Sequence, residues 1–227
     1  SYSLDNPQAD CYALNISLQG GTYCFDVQVE DTRISDFQLL MGGRHNVENS
    51  VAAIAVASSL GISADLIRKA VAEFRGVKRR FEYVIEPGKH SRGIVMVDDY
   101  AHHPEELRAL INGVKEQFPQ HRCTVIFQPH LYSRTRDFAE GFAQVLDQAD
   151  EVILLPVYPA RELPIPGVSS QLILDQITHH PARVLEKKPL LDWIDNTDLQ
   201  QTVLVMAGAG DIDSLAEPVR ERLMKKK

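Results

Sequence analysis

The stretch VMVDDYAHHPEEL, at positions 95–107, places five titratable side chains within six positions: Asp98, Asp99, Tyr100, His102 and His103. Carboxylates accept hydrogen bonds, and imidazoles exchange protons near neutral pH. Pro104 suits the first position of a helix, and Glu105 and Glu106 suit its first turn, so the two glutamates need no functional explanation. The stretch therefore predicts a binding or reactive loop directly before a helix.

A second stretch, FQPHLYSRTRDF at positions 127–138, repeats this arrangement with other side chains: His130, Tyr132, Arg134 and Arg136. Guanidinium groups bind carboxylates and phosphates through two parallel hydrogen bonds. Carboxylate, imidazole and guanidinium groups together predict a site for an anionic or zwitterionic ligand.

An apolar run precedes each of the two stretches. From about Arg80 onward, apolar runs alternate with amphipathic patterns; the runs are GIVMV (93–97), CTVIF (123–127), EVILL (151–155) and TVLVMA (202–207). Helices are expected from Pro104, from about Thr135 and from about Ser214. This alternation predicts an α/β fold with a doubly wound, mostly parallel, Rossmann-like sheet. Ligands bind beyond the carboxyl ends of such strands. If the strands before the two stretches are neighbours, the two loops face one another.

The N-terminal part of the chain has a different pattern. Residues 11–40 alternate as strands do, and Gly20 and Gly21 predict a hairpin turn between them. A helix rich in small residues is expected from about Val47 to Leu60, followed by a second helix capped by Ser63. We place a domain junction in the basic segment that follows, giving domains at 1–79 and 80–227.

Composition excludes several classes of protein. A formal charge of -7 over 227 residues argues against a general nucleic-acid binder. No apolar run approaches the length of a membrane span and no signal-peptide layout is present, so we expect a cytoplasmic protein without a membrane partner. The three cysteines, Cys11, Cys24 and Cys123, are far apart and odd in number, which predicts buried thiols.

Simpler structural roles are open for these residues. Either aspartate of the first stretch could cap a turn. The two histidines could bind zinc, but no further cysteine or histidine lies at ligand spacing, so no metal site is predicted. Arg134 and Arg136 could form surface ion pairs.

The same holds outside the two stretches. Asn46 and Asn49 lie one turn apart near a helix start and could be caps. The sequence AGAGD (207–211) follows a strand and resembles a phosphate-binding turn, but a tight turn that needs glycine explains it equally well.

Several motifs together resemble the Mur ligases, the ATP-dependent amino-acid ligases of peptidoglycan precursor synthesis. The motifs are GRHNVENSVAAIAVA, VKRRFE, VDDYAHHPEEL, FQPHLYSRTRDF and VYPARELPIPGVSS, in the family's order. The double histidine and the FQPH.YSRT element favour the member that joins L-alanine to UDP-N-acetylmuramate. The resemblance implies the end of a central ATP-binding domain in residues 1–79 and a C-terminal Rossmann-like domain in residues 80–227.

The resemblance also implies roles for individual residues. It places the HN..N element, His45, Asn46 and Asn49, at the adenine of ATP, Arg80 near the ribose and phosphates, and Asp99 at the ribose hydroxyls. It groups the remaining candidates around the amino acid and the carboxyl end of the nucleotide substrate: Tyr100, His102, His103, His130 and Arg134. Of all these residues, Arg80, His102 and Arg134 are the expected catalytic ones.

The implied reaction needs cations and a proton acceptor. ATP, with Mg²⁺, would phosphorylate the lactyl carboxylate of UDP-N-acetylmuramate, and the amine of L-alanine would attack the acyl phosphate. Negative charge builds up in both steps, and Arg80, Arg134 and Mg²⁺ are the groups expected to offset it. A histidine near the amine could take its proton, and the sequence leaves open which one.

Three features depart from the family pattern. No GxxxxGK[ST] phosphate cradle occurs, so the cradle, the metal ligands and the UDP-binding domain are expected upstream, and this chain alone is expected to be an inactive fragment. Leu131 stands where many relatives have a basic residue, and LMGGRHN lacks the proline often found before its glycine.

Two other functions are compatible with the motifs. A murein-recycling ligase that adds a tripeptide to the same nucleotide shares the HN..N and aspartate elements, although FQPHLYSRT argues against it. A non-catalytic nucleotide-binding module would use AGAGD and the strand-end loops, and would bind nucleotide tightly by itself.

Overall fold

The computed structural model describes residues 1–179 and 181–226, which form two compact units, Ser1–Val77 and Lys78–Lys227. The sequence placed the junction after Arg79. The assignment of the two units to domains of a longer enzyme stays a prediction.

The first unit is a four-stranded sheet covered by two helices. Its strands lie in the order β1–β2–β3–β4 and span Tyr2–Ser3, Cys11–Gln19, Thr22–Val29 and Thr32–Leu39. The helices are α1, Arg44–Ser59, and α2, Ala64–Glu73. Gly20 and Gly21 have φ of 58° and 86°, as the predicted hairpin requires.

Helix α1 packs its apolar side on this sheet. Val47, Val51 and Ile54 are buried with the stacked rings of Phe25 and Phe37. The helix begins three residues before the predicted Val47, because the turn into it is made at Gly43, which has φ of 84°. Ser63 precedes α2 but its side chain makes no capping hydrogen bond, so that expectation is wrong.

The second unit confirms the predicted α/β fold with a mostly parallel sheet. The strands are β5 Glu82–Ile85, β6 Val95–Asp99, β7 Arg122–Phe127, β8 Glu151–Leu154, β9 Ala182–Val184 and β10 Thr202–Ala207. Their order is β5–β6–β10–β7–β8–β9, and only β5 runs antiparallel to its neighbour. The strands before the two stretches are not neighbours, because β10 lies between them, so the condition under which the two loops were expected to face one another is not met.

The helices of the second unit connect these strands. They are α3 Pro104–Gln117, α4 Tyr132–Asp137, α5 Ala139–Leu146, α6 Gln171–Leu174, α7 Lys187–Asn196 and α8 Ala216–Lys225. The helix expected from about Thr135 is two helices that meet at Phe138, and the first starts earlier than predicted. The helix expected from about Ser214 is preceded by a 3-10 turn, Asp211–Leu215, and starts at Ala216.

Both faces of the six-stranded sheet are buried, which explains why its strands are continuous apolar runs rather than alternating ones. One face packs Val97, Val125 and Val205 against α3 and α5, and the other packs Met96 and Met206 among residues of α7 and α8. In the part of the chain that the structure describes, no helix is long and apolar enough to cross a membrane.

The cysteines only partly follow the prediction. All three are free thiols, and Cys11 and Cys123 are buried, but Cys24 is half-buried. It lies on β3 between the buried Tyr23 and Phe25, and successive side chains of a strand point to opposite faces, so its side chain is on the less buried face. Burial raises the pKa of Cys123 to about 12, so this thiol is a core residue and not a nucleophile.

A buried carboxylate ends strand β6. Asp98 is 3% exposed, and its Oδ2 lies 3.4 Å from Nε of Arg79. Neither Nε of Arg79 nor Oδ1 of Asp98 has a hydrogen-bond partner among the described residues, so the guanidinium offsets the carboxylate charge only in part. Burial raises the pKa of Asp98 to about 6, against the pull of Arg79.

This raised pKa predicts a specific dependence of stability on pH. Between about pH 4 and about pH 6 the folded chain keeps the Asp98 proton that the unfolded chain releases, so the free energy of unfolding falls as pH rises through this window. Asp98→Asn should reduce this decrease in the free energy of unfolding by up to about 3 kcal/mol. Urea denaturation of the purified chain from about pH 4 to pH 7 measures it. Asp192→Asn, at an exposed position on α7, is the control, and parallel curves for Asp98→Asn and the parent would contradict the assignment.

Candidate functional site

Asp99 and Glu106 hold the loop between β6 and α3. Asp99 accepts backbone hydrogen bonds from Phe81 and Ala101, both at 2.7 Å. Glu106 accepts the backbone N–H groups of His102 and His103, at 2.9 and 3.1 Å. The turn and capping roles considered for the first stretch are therefore present, and they fix the loop that carries Tyr100 and His102.

Two arginines flank the Tyr100 ring. The guanidinium carbons of Arg79 and Arg80 lie 5.2 and 5.6 Å from its centroid. Arg79 is largely buried, and it donates a hydrogen bond to the carbonyl of Gly208. Arg80 is exposed and forms no ion pair with the residues that the structure describes. Arg80 thus keeps a guanidinium available for an anion, as its predicted role requires.

The loop between β7 and α4 is anchored to the segment that follows β8. His130 and Tyr158 form an isolated parallel bridge with stacked rings 5.7 Å apart, and the backbone N–H of Leu131 donates to the Tyr158 carbonyl at 2.9 Å. Leu131 has φ of 70°, a left-handed conformation that is costly for a leucine. The anchoring at Tyr158 holds the chain in this conformation and directs His130 toward the first loop.

The two loops meet although their strands are not adjacent. The rings of His102 and His130 are 6.1 Å apart, and the ring of Tyr100 lies 5.1 Å from that of His102. Strand β10 pairs with β6 and β7 in one register, so the three strands end at the same height in the sheet. The loops after β6 and β7 therefore meet above the end of β10. The structure thereby brings together Tyr100, His102 and His130, and Arg134 stands beside His130.

His130 and Arg134 form a coupled pair. Nη1 of Arg134 lies 3.5 Å from Nδ1 of His130, and both side chains are half-buried. Burial lowers the pKa of His130 below its ordinary value, and the charges of Arg134 and His102 act in the same direction. These surroundings therefore favour the neutral form of the His130 ring.

His102 has a different set of partners. Its Nδ1 lies 2.9 Å from the carbonyl oxygen of Tyr100 and 3.2 Å from Oε2 of Glu106. Its imidazole thus faces a carboxylate, whereas the imidazole of His130 faces a guanidinium. The two histidines lie in opposite electrostatic surroundings within one site.

His103 and Arg136 stand apart from this cluster. The ring of His103 packs on Phe138 at 4.7 Å, at the start of α5. Arg136 is exposed and pairs with Asp137 at 2.8 Å, which is the surface ion pair considered for both arginines. Arg134 forms no ion pair with the described residues. The surface ion pair considered for both arginines is therefore formed by Arg136 alone among them.

The glycines of AGAGD are required by packing. A Cβ on Gly208 would lie 2.7 Å from the carbonyl oxygen of Gln128, and one on Gly210 would lie 2.5 Å from Oε1 of the same residue. Gly208 also has φ of 148°. Asp211 in turn binds the side chains of Gln128 and Lys187, at 2.9 and 2.7 Å. These contacts support the tight-turn interpretation of this segment.

The HN..N element lies in the first unit, at the start of α1. Asn46 is buried, and its side-chain amide donates to the Gly42 carbonyl at 2.7 Å, so it fixes the turn into the helix. His45 and Asn49 are exposed. Of the two asparagines, Asn49 is the one whose amide faces solvent.

Sequence reasoning missed three residues that shape the second unit's site: Glu106, Tyr158 and Glu162. Glu106 was given no role beyond the helix dipole, and Tyr158 and Glu162 were quoted only within the motif VYPARELPIPGVSS. Glu162 accepts hydrogen bonds from the backbone N–H of Ser133, at 2.9 Å, and from its hydroxyl, and so ties the start of α4 to the loop after β8. The spacing of Glu106, three residues after the N-cap His103, was the one signal available, because a glutamate at this position can accept backbone N–H groups that precede the helix.

Comparison with known proteins identifies the family of the second unit. The family model described as "Mur ligase, glutamate ligase domain" matches residues 79–212. Proteins named UDP-N-acetylmuramate–L-alanine ligase from Flavobacterium johnsoniae and Parabacteroides distasonis are 42% and 46% identical to this chain over 96% of its length. The chain covers 47% and 46% of these relatives, so it spans about half their length.

The fold comparison agrees. The crystal structure of a UDP-N-acetylmuramate-alanine ligase from Thermotoga maritima superposes with a TM-score of 0.79 at 30% identity, over 98% of this chain and 47% of that one. Since the family model covers more than half of the residues and includes both loops of the site, the chain belongs to the Mur ligase family.

Proposed function

We propose that this chain is the C-terminal half of an ATP-dependent ligase that joins L-alanine to UDP-N-acetylmuramate through an acyl phosphate. The observation that carries the proposal is the cluster of His102, His130 and Arg134, built from two loops within the family-matched residues. The names and the identity of the relatives over 96% of this chain support the choice of substrates. We further propose that the enzyme works in the cytoplasm, where ATP and nucleotide sugars are available.

The cluster has the chemistry to hold a zwitterionic amino acid. Arg134 can bind the carboxylate in a bidentate way, and this contact orients the amine toward the acyl phosphate. His130, in its neutral form, adds a hydrogen bond without adding charge. Tyr100 and His103 are proposed to complete the walls of the substrate site.

The residues proposed for ATP binding are those that the family resemblance implies. His45, Asn46 and Asn49 would face the adenine, Arg80 the phosphates and Asp99 the ribose. Asn49 and Arg80 are exposed and suited to these roles. Asn46 and Asp99 are buried and already hold backbone groups, so any contact they make with nucleotide would use their remaining hydrogen-bonding capacity.

Mg²⁺ is proposed as the metal of the reaction, with its ligands outside this chain. Among residues 1–179 and 181–226, no group of three or more histidine, cysteine or acidic side chains is placed to hold an ion. When bound with ATP, the metal would offset charge on the transferred phosphoryl group. The residues of this chain bind and orient the other reactants.

An assay of the full-length enzyme tests the proposed function. We expect ATP-dependent coupling of L-alanine to UDP-N-acetylmuramate. Mass spectrometry of the product and release of ADP measure this coupling. L-alanine should be preferred over a tripeptide beginning with the same residue, because the carboxylate that Arg134 binds then lies two residues away from the amine. Preference for the tripeptide would identify the recycling ligase instead, and absence of ATP-dependent coupling would refute the proposal.

Arg134 is predicted to bind the carboxylate of L-alanine. Arg134→Ala should raise KM for L-alanine about tenfold or more, because a charge-assisted contact in a half-buried site contributes about 1.5 to 3 kcal/mol. Arg134→Lys should also raise it, since lysine cannot form the bidentate contact. KM for ATP should change much less.

Arg136 provides a matched control two residues away. It is exposed and paired with Asp137, so Arg136→Ala should leave the alanine kinetics within about twofold of the parent. Unchanged alanine kinetics in Arg134→Ala, or equal effects of the two alanine variants, would mean that another group binds the carboxylate.

A further inference from the structure

We infer that His102 is the proton acceptor for the incoming amine and that Glu106 is the positioning residue that fixes its tautomer. This inference rests on the proposed ligase function and assigns the one role that the sequence left open. It depends on which nitrogen of each histidine is already engaged within the site.

His130 is excluded as the acceptor by its neighbour. The atom facing its Nδ1, at 3.5 Å, is Nη1 of Arg134, and a guanidinium can only donate a hydrogen bond. The lone pair of His130 is therefore on Nδ1 and directed at Arg134, which leaves an N–H on Nε2. In this tautomer His130 presents a hydrogen-bond donor to the substrate and cannot take a proton from it.

His102 has the opposite arrangement. Both groups facing its Nδ1 are acceptors, the Tyr100 carbonyl at 2.9 Å and the Glu106 carboxylate at 3.2 Å. Its proton is therefore on Nδ1, and the lone pair is on Nε2. Among the residues that the structure describes, nothing forms a hydrogen bond with this Nε2, and the His102 side chain is 21% exposed. His102 thus presents a free base to the site.

One carboxylate and two guanidinium groups lie around His102. Glu106 on α3 would pair with the imidazolium that forms, and the Tyr100 ring beside it is flanked by Arg79 and Arg80. From the loop after β7, His130 lies 6.1 Å away in surroundings that favour its neutral form, with Arg134 behind it. Glu162 acts on His130 and is bound to Ser133. Among the described residues, Glu106 is the one carboxylate in contact with the His102 ring.

The proposed step balances atoms and charge. The bound amino acid begins as an ammonium ion and loses one proton to Nε2 of His102, which leaves a neutral amine. Its nitrogen attacks the carbonyl carbon of the acyl phosphate, the N–C bond forms, and the C–O bond to phosphate breaks, with phosphate taking the electron pair. The second proton leaves the nitrogen as the tetrahedral intermediate collapses and departs on the phosphate.

Glu106 therefore has two functions that mutation can separate. As a helix cap it accepts two backbone N–H groups, which a glutamine oxygen can also do. As the partner of His102 it supplies a negative charge, which glutamine cannot. Glu106→Gln keeps the cap and removes the charge, whereas Glu106→Ala removes both.

The test compares two nucleophiles in the full-length enzyme. Hydroxylamine is largely uncharged near neutral pH, so its attack on the acyl phosphate needs no base. His102→Ala should lower kcat with L-alanine about a hundredfold or more while hydroxamate formation stays within about threefold of the parent. Added imidazole should restore part of the alanine rate. Equal losses with both nucleophiles, or no loss with alanine, would overturn the role of His102.

The second part tests Glu106. Glu106→Gln should keep the thermal midpoint and KM for L-alanine and lower kcat with alanine about tenfold, again sparing hydroxamate formation. Glu105→Gln, at the neighbouring exposed glutamate, should behave as the parent. An unchanged kcat in Glu106→Gln would overturn the positioning role.

The design separates this inference from the proposed function. If the parent enzyme forms neither the alanine product nor the hydroxamate, the ligase function itself fails. If the parent forms both and the His102 variant does not discriminate between them, the function stands and the proton acceptor is another group.

Discussion

The site depends on strand β10 pairing in parallel with β6 on one side and β7 on the other. In this register Ala207 lies level with both Asp99 and Phe127, so the three strands end in one row. The chain can then turn tightly at Gly208, where any Cβ would collide with the carbonyl of Gln128. Because β10 ends in small residues, the loops after β6 and β7 can approach each other across it.

The two histidines of this site have different proposed roles because their neighbours differ. An arginine that can only donate fixes one tautomer, and a carboxylate and a carbonyl that can only accept fix the other. The same buried framework holds each neighbour in place: Glu106 lies in the first turn of α3, and Arg134 lies on α4, whose start is tied to Glu162. Hydrogen bonds that look merely structural, such as the cap at Glu106, therefore also set the direction of proton transfer.

Much of this arrangement could be predicted from the sequence. Continuous apolar runs such as TVLVMA identified the parallel strands, and the crowded polar residues after them identified the loops. The strand order could not be predicted, because each run is equally apolar and nothing local shows that β10 inserts between β6 and β7. The left-handed conformation of Leu131 was also unpredictable, since it is imposed by contacts with Tyr158, 27 positions away in the chain. Glu106 was assigned only to the helix dipole, because its contact with the His102 ring depends on the rotamers of both side chains.

The central claim is that the two histidines of the site carry their protons on opposite nitrogens. Nitrogen-15 NMR of the histidine side chains tests it directly on this chain, because protonated and unprotonated ring nitrogens have distinct shifts. At mildly basic pH, with signals assigned through His102→Gln and His130→Gln, the account predicts a proton on Nδ1 of His102 and on Nε2 of His130. The same tautomer at both histidines, or the reverse assignment, would contradict it.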